Sequence, residues 1–478
     1  MIKQIIVVMS ALFIQSVSAC YQPELCYGEH SCADKTSQTF MFTRPLFANT
    51  ALQQAGWHSL YNYKTSPHES AFQIIGAYQQ SRTSQGTRNY FTFCEQSCLL
   101  VAGDASLLAT DRNIRAEWLG INNPEIESCL CINPQQKQYG ALLEYTVDLD
   151  TVSCLLRNYW FDVQCAVKHI HNNLNTYSES TIITDAFNQS DWSYAKLPTC
   201  SRNRTGIEFI KLLLGKTYLA HDNFEINAFG GLCIPGAGHQ NPEYLFAPFL
   251  GFNGHFGFDF GATLQLNLSR TSSCYDLCFF LTLDAIFLVS NCQKRTYDLK
   301  QKPWSRYLQF VQRDSASLQP IPGVNVLTLE SEVHPYDMID FSTGWRFMTN
   351  VIEWELCYKL WGHGTERVHP KCPFPDYYGI AGVGFIAPNI PATASESSIK
   401  TLAPNDAIFI PITINDINLN SAQAQRAITH AIQAAVSLIA YNSESSELLL
   451  NVGSYYELSQ FNTALNQWGL WSKIGLSF

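Results

Sequence analysis

HFGFDFGATLQLNL, residues 255–268, keeps a two-residue alternation along its whole length. Phe256, Phe258, Phe260, Ala262, Leu264, Leu266 and Leu268 share one parity; His255, Gly257, Asp259, Gly261, Thr263, Gln265 and Asn267 share the other. Successive strand side chains point to opposite faces, so a strict period of two means two different surroundings. Strands of soluble proteins usually run about 5–6 residues. A tilted strand needs about 9–11 to cross a bilayer, with lipid on one face and a lumen on the other. The even residues are therefore expected to face lipid and the odd ones the lumen, with glycine leaving room inside.

The pattern recurs. Tyr139, Ala141, Leu143, Tyr145, Val147 and Leu149 alternate with polar residues, Leu142 being the exception. Tyr159 to Val167, Ile339 to Phe347 and Ile352 to Leu360 behave alike, the last two flanking a tight turn at 349–351. Weaker runs lie at 71–80, 207–218, 224–234, 277–290, 376–387 and 405–414, and 447–458 and 466–478 close the chain. Segment 421–441 has both helical and strand periodicity; its neighbours require a strand over 427–441. Short links near 150–156, 219–223, 269–276, 350 and 442–446 alternate with long ones near 81–136, 169–206, 235–254, 291–337 and 362–375. Outer-membrane barrels have such short inner turns and long outer loops. The rule fails at 388–404, long for an inner turn, and at 459–465, short for an outer loop. The expected fold is all-β: an antiparallel transmembrane β-barrel of about fourteen strands over 71–478. Segments 304–313 and 324–333 offer an extra hairpin that would make sixteen.

Composition agrees. Hydrophobic residues make up 46% of the chain and charged ones only 15%, against about 25% in ordinary globular proteins. No run of eighteen apolar residues interrupts this, so helical spans are not expected. A formal net charge of −10 argues against nucleic acid as a partner. Residues 1–19 read as a signal peptide: Lys3, an apolar core from Ile5 to Ile14, then Val17-Ser18-Ala19. With Cys20 the last three also match a lipobox, in which Cys20 would be lipidated; plain cleavage before Cys20 is preferred. All sixteen cysteines lie at or beyond Cys20, an even number that suits complete pairing in an oxidising compartment. Residues 20–70 form a separate cysteine-rich segment, a plug or cap for the barrel or a loosely stapled leader. Within it Ser37 to Pro45 reads as extended and Asn49 to Tyr63 as a short helix.

The chain ends WGLWSKIGLSF, with Trp468, Leu470, Ile474, Leu476 and Phe478 on one face. A terminal phenylalanine with apolar residues two and four places earlier resembles the sorting signal of bacterial outer-membrane barrels. That resemblance, to porin-like barrels over roughly 70–478, implies recognition of Leu476 and Phe478 by the barrel-assembly machinery, and outer-membrane lipid as surroundings. The cysteine richness resembles the disulfide-linked major outer-membrane proteins of chlamydia-like bacteria.

Charges on the expected inner faces carry the functional reading. Glu144, Asp148, Asp162, Glu225, Asp259, Asp284, Asp340, Glu353, Glu355 and Glu457 oppose Lys168, Arg346, Lys359 and Lys473. Charge is costly against lipid, so these residues should line water, and an acidic lining favours cations. The expected function is a porin-like channel for passive, weakly cation-preferring passage of small solutes. Three alternatives stand beside it. The charges pair across a filled barrel; or the chain is a disulfide-crosslinked envelope protein or adhesin; or it carries hydrophobic molecules behind an N-terminal plug. A homo-oligomer stays open. No G-x-S-x-G, H-E-x-x-H or complete P-loop is present, so no enzyme is expected. No cofactor or metal is expected either. The pairs Cys94/Cys98, Cys129/Cys131 and Cys274/Cys278 lack matched zinc spacing and read as disulfides. Cys26, His30 and Cys32, and the pair His169/His171, are the weaker metal candidates. The basic run 293–306 reads as a solvated outer loop, with lipopolysaccharide phosphates as the alternative ligand.

Overall fold

The computed structural model describes residues 36–56, 70–82, 90–92, 98–108, 112–221, 224–268, 275–300, 302–313, 320–349, 351–383, 407–442 and 446–478. The expected signal peptide, Cys20 and the cysteines of 20–35 lie outside the described residues. Twelve antiparallel strands close into a barrel. They are β1 (Ser70–Arg82), β2 (Gln135–Asp148), β3 (Tyr159–Asn173), β4 (Arg202–His221), β5 (Phe224–Pro235) and β6 (Gly257–Asn267). The second half is β7 (Tyr275–Leu288), β8 (Met338–Thr349), β9 (Ile352–His363), β10 (Ala427–Asn442), β11 (Glu447–Ser459) and β12 (Asn466–Ser477). Each pairs with the next in sequence, and β12 closes on β1 with Phe72 opposite Leu476. The ambiguous segment is a strand, β10, as its neighbours required.

Two of the fourteen expected strands are elsewhere. Tyr378–Val383 and Ala407–Pro411 pair with each other in a small sheet with Gln309–Gln312, and β9 pairs directly with β10. At six and five residues they fall short of the roughly 9–11 a crossing requires. Removing a hairpin takes away one up-strand and one down-strand, so every other turn keeps its side. The irregularity at 388–404 disappears, because 364–426 becomes one long outer connection. The sixteen-strand option fails likewise: Gln309–Gln312 and Thr328–His334 sit in different small sheets.

Alternation within the strands is as the opening stretch demands. Asp259, Thr263 and Gln265 of β6 are buried, while Phe258 and Phe260 are exposed on the outside. In a closed barrel every backbone group pairs with a neighbouring strand, the condition for crossing hydrocarbon without a helix. Outside, exposed Leu283, Trp345, Leu356, Ile432, Val452 and Ile474 make an apolar band. Aromatic side chains ring both margins. Tyr78 meets Trp468 near the long-loop end, and Phe279 meets Trp345 near the short-turn end. Such girdles mark the two interfaces of a membrane barrel.

Glycine inside does not leave open space. A Cβ on Gly261 would lie 2.3 Å from the Phe229 ring, and one on Gly215 would lie 2.0 Å from Trp160. These glycines admit an aromatic ring from the adjacent strand, which fills the taper of the wall.

The five long connections fold together into a cap at one mouth. Small sheets carry it, and one apolar core containing Leu99, Trp118, Phe187, Trp192, Trp304, Tyr307, Phe310 and Val333 holds it together. Trp192 and Tyr307 stack with ring centroids 5.1 Å apart. A Cys98–Cys131 disulfide crosses one cap sheet, joining one member of each close pair instead of closing either pair on itself. Complete pairing is not found: Cys154, Cys165, Cys200, Cys233, Cys278, Cys292, Cys357 and Cys372 are free thiols. The basic run is solvated only in part: Lys294 and Lys300 are exposed, but its two arginines are enclosed. Arg306 is buried against Asp298 at 2.5 Å, and Arg295 against Glu366 at 3.1 Å. Two such charges are needed to neutralise carboxylates enclosed by the cap.

Candidate functional site: the filled lumen

Residues 36–56 run through the barrel. At the cap mouth Ser37 Oγ donates to Asp298 at 2.5 Å, and Thr39 Oγ1 donates to the Thr296 carbonyl at 2.7 Å. The chain then descends to a short helix, α1 (Thr50–Gln54), capped by Asn49, whose side chain accepts from the Leu52 amide at 3.2 Å. The expected helix is thus seen at its start; residues 57–63 lie outside the described residues. Phe40, Phe42, Leu46, Phe47 and Leu52 form one apolar cluster with inward-facing Ile75, Leu142, Ala166 and Phe209 of the wall. Leu142, the break in the alternation of β2, is part of the seat of this segment.

Polar wall residues grip the segment from all sides. Lys473 of β12 donates to the carbonyls of Gln53 (2.5 Å) and Ala55 (2.7 Å). Arg346 of β8 donates to the Gln54 carbonyl at 3.3 Å, and Gln433 of β10 to that of Ala51 at 3.2 Å. The Gln54 side chain donates to Thr263 and accepts from Thr282, at 2.9 and 2.6 Å. Thr50 Oγ1 donates to Asp284 at 3.1 Å. Arg44 lies between carboxylates of two strands three apart in the wall, bonding Glu457 of β11 at 2.7 Å and Asp340 of β8.

Several of the remaining expected lumen charges pair along the wall. Arg346 bridges Glu355 at 2.7 Å and lies 3.8 Å from Glu353. Lys211 contacts Asp259 at 2.5 Å and Asp284 at 3.9 Å. Asp162 accepts from Thr146 at 2.9 Å and Gln164 at 2.8 Å. Glu144 is buried on the inner face of β2. Lys359 points inward with its ammonium 4.8 Å from the Tyr455 ring and no hydrogen-bond partner among the described residues. Asp148 stands apart: at the short-turn end it accepts the Asp150 amide at 2.9 Å and caps the turn. Leu476 and Phe478 are exposed on the outside, and Phe478 closes the sheet through two 2.9 Å backbone bonds with Ser70. His169 faces outward too, stacked on Tyr139 and bonded to Thr205 at 2.6 Å.

Three contributors escaped the sequence reading. Arg44 sits before the first strand, so no periodicity marked it. Lys211 lies among leucines in a weak run, where its single charge was the available signal. Glu208 is the extra residue of a β-bulge: Ala166 pairs with Phe209 and Val167 with Ile207. A bulge lets two successive side chains share a face. Glu208 therefore turns inward beside Phe209, pairs with Lys168 at 2.5 Å and accepts the Leu46 amide at 3.2 Å. Between α1 and the wall a polar cavity of about 20 Å³, lined by Asp162, Lys211 and Asp284 among others, remains. It has room for about one water.

No family model matches this chain, and no curated protein matches it. Solved structures of other barrels do. The COG4313 outer membrane channel from Pseudomonas putida F1 is 9% identical, with a TM-score of 0.40 over 86% of this chain and 96% of that one. The Pseudomonas putida toluene transporter TodX is 10% identical, with a TM-score of 0.33 over 94% and 97%. The NanC porin is 8% identical, with a TM-score of 0.28 over 85% and 98%.

Proposed function

We propose that the chain is a bacterial outer-membrane β-barrel for the passage of small solutes, closed at rest by residues 36–56. It acts as a transport protein and not as an enzyme. The observation that carries this reading is the chemistry of the two wall faces. The outside is an apolar band; the inside is lined with lysine, arginine, carboxylate and amide groups. A barrel that served only as a packed core would be filled at lower cost with apolar side chains, since each buried ion must be compensated. Beside its apolar cluster and the Arg44 pairs, the segment is held by wall side chains bonded to its backbone. Each such bond contributes roughly 0.5–3 kcal/mol net, those from charged Lys473 and Arg346 at the upper end, because water can take its place. A wall built for water thus holds a segment that water can replace.

The acidic balance sets the preference. Among the described residues, ten buried carboxylates line the inner wall against five cations from the same wall. Arg44 adds a sixth positive charge while the segment is in place. With the segment withdrawn, the excess of carboxylates concentrates cations in the lumen.

The test is conductance and solute uptake in reconstituted bilayers, comparing the full chain with a variant lacking residues 36–56. Heat-dependent gel migration verifies that both are folded barrels. The expected result is a low basal conductance for the full chain and a large, cation-selective one for the variant, read from the reversal potential in a salt gradient. A folded variant that stays closed overturns transport through this lumen; anion selectivity overturns the cation preference.

A further inference from the structure

On the outer surface of the cap, the strands Asn291–Thr296, Thr328–His334 and Arg367–Pro370 form a three-stranded sheet. Val333 and Val368 on its inner face are buried in the cap. Its outer face carries two glutamates two residues apart, with different neighbours. Glu330 lies opposite Lys294, and its carbonyl accepts the Lys371 amide at 2.8 Å. That is an ordinary row of mixed charge. Glu332 lies between Cys292 on one side and His369 on the other, both directly opposite it in register. His334, two residues on, points to the same exposed side, with Nε2 3.4 Å from Glu332 Oε1. The His334 and His369 rings are 6.3 Å apart. Cys292 is an exposed free thiol.

We propose that Glu332, His334 and His369, with the Cys292 thiolate as fourth donor, form a surface site for a borderline divalent transition metal such as Zn²⁺. Imidazole, carboxylate and thiolate are the donor types zinc takes, at about 2.0–2.3 Å in a tetrahedron. Two oxygen or nitrogen donors on such a tetrahedron stand about 3.4 Å apart, the spacing already present between His334 and Glu332. Two imidazole ring centres sharing the ion stand about 5–6 Å apart, so the His369 ring must approach by about 1 Å. Among the described residues no three donors already converge on one point. All four side chains are exposed, so closing them requires rotamer changes and no repacking. The ion neutralises Glu332, which has no cross-strand cation, whereas Glu330 has Lys294 opposite it. Arg367 lies opposite His334 and is exposed, free to swing away. Glu332 and His334 belong to the connection between β7 and β8, and His369 to that between β9 and β10. The metal therefore ties two outer loops together and stiffens the cap, independently of what the lumen passes.

The experiment is calorimetric titration of the detergent-solubilised full chain with Zn²⁺, with the cap's thermal unfolding followed in parallel. Binding at these residues is expected to raise the cap's melting temperature with metal concentration. His369→Ala and His334→Ala should each weaken that binding at least about tenfold, while Glu330→Ala leaves it unchanged. Circular dichroism confirms that each variant is folded. With Co²⁺ as probe, the full chain should show a sulfur-to-metal absorption that Cys292→Ser removes. Absence of that band overturns the thiolate's place in the site. Zinc affinity unchanged in the His334→Ala/His369→Ala double variant, or no zinc bound by the full chain, overturns the site itself.

Discussion

The barrel wall and the cap are made from one chain, yet they are written differently. In the wall, Phe258, Phe260 and Leu283 are exposed and Asp259, Lys211 and Asp284 are buried. In the cap, Phe187, Trp192 and Trp304 are buried, and the exposed face of its three-stranded sheet carries Lys294, Glu330 and Glu332. The cap follows the ordinary hydrophobic rule, with apolar residues inside and charge in water. The wall inverts it, because hydrocarbon lies outside and polar groups within. Burial alone therefore says nothing of polarity here; the medium on each side of the sheet decides it.

Four tests, one of them a matched pair of substitutions, break or sharpen that contrast. The largest effect is expected in the cap's own core. Phe187→Ala should cost about 3–5 kcal/mol and expose cap amides to hydrogen exchange while leaving the protection of β1–β12 intact. Loss of barrel protection as well would mean that the two regions unfold as one. Nearly as large is Arg44→Ala, which leaves Asp340 and Glu457 buried without their cation, at about 3–5 kcal/mol. Its signature is release of the lumen segment, read as higher conductance and faster exchange at residues 40–56. Arg44→Lys should recover part of the loss.

A matched pair follows. Leu283→Arg puts a charge near the middle of the apolar band and should cost about 2–4 kcal/mol in urea unfolding in lipid. Leu107→Arg, in the cap at 97% exposure, should change stability by no more than about 0.5 kcal/mol. Equal effects would place the Leu283 face in water.

Smaller than the Leu283→Arg effect is a pH effect at His255, in the loop before β6. Its Nδ1 donates to the Val289 carbonyl at 2.8 Å, and its Nε2 meets the Gln293 amide at 2.9 Å. Burial pushes the ring's pKa down to about 4 from its usual 6.5. The unfolded chain then binds the proton more readily than the folded one. The stability that the neutral ring permits is complete above about pH 6.5 and is lost as pH falls toward 4, by about 1–3 kcal/mol. His255→Gln should flatten this part of the pH–stability curve; an unchanged slope would assign it to other groups.

Legibility follows the same division. The wall could be read because each strand faces two media and must alternate. The fourteen expected strands include all twelve of the barrel. The surplus pair, 376–387 and 405–414, alternates too, but it packs in the cap, where alternation also suits a half-buried sheet. Even Leu142 was visible as a break, though its meaning required the segment that sits against it. In the cap, Arg295 reads as solvated because nothing local shows that Glu366, 71 positions on, lies beside it; for Arg306 the signal was local, since Asp298 is the one acid of the same run.

The residues alone determined that this chain forms a closed antiparallel barrel with apolar residues outside and charges within. Side-chain direction follows a local two-residue rule, and a membrane demands that every backbone group be paired. Tertiary structure alone decided that the lumen is filled, that Arg44 joins β8 to β11 across the two strands between them, that a bulge turns Glu208 inward, and that the outer loops share one core. Those outcomes depend on partners that can lie more than four hundred positions apart, as Arg44 does from Glu457 (413 residues), and no local pattern records such a meeting.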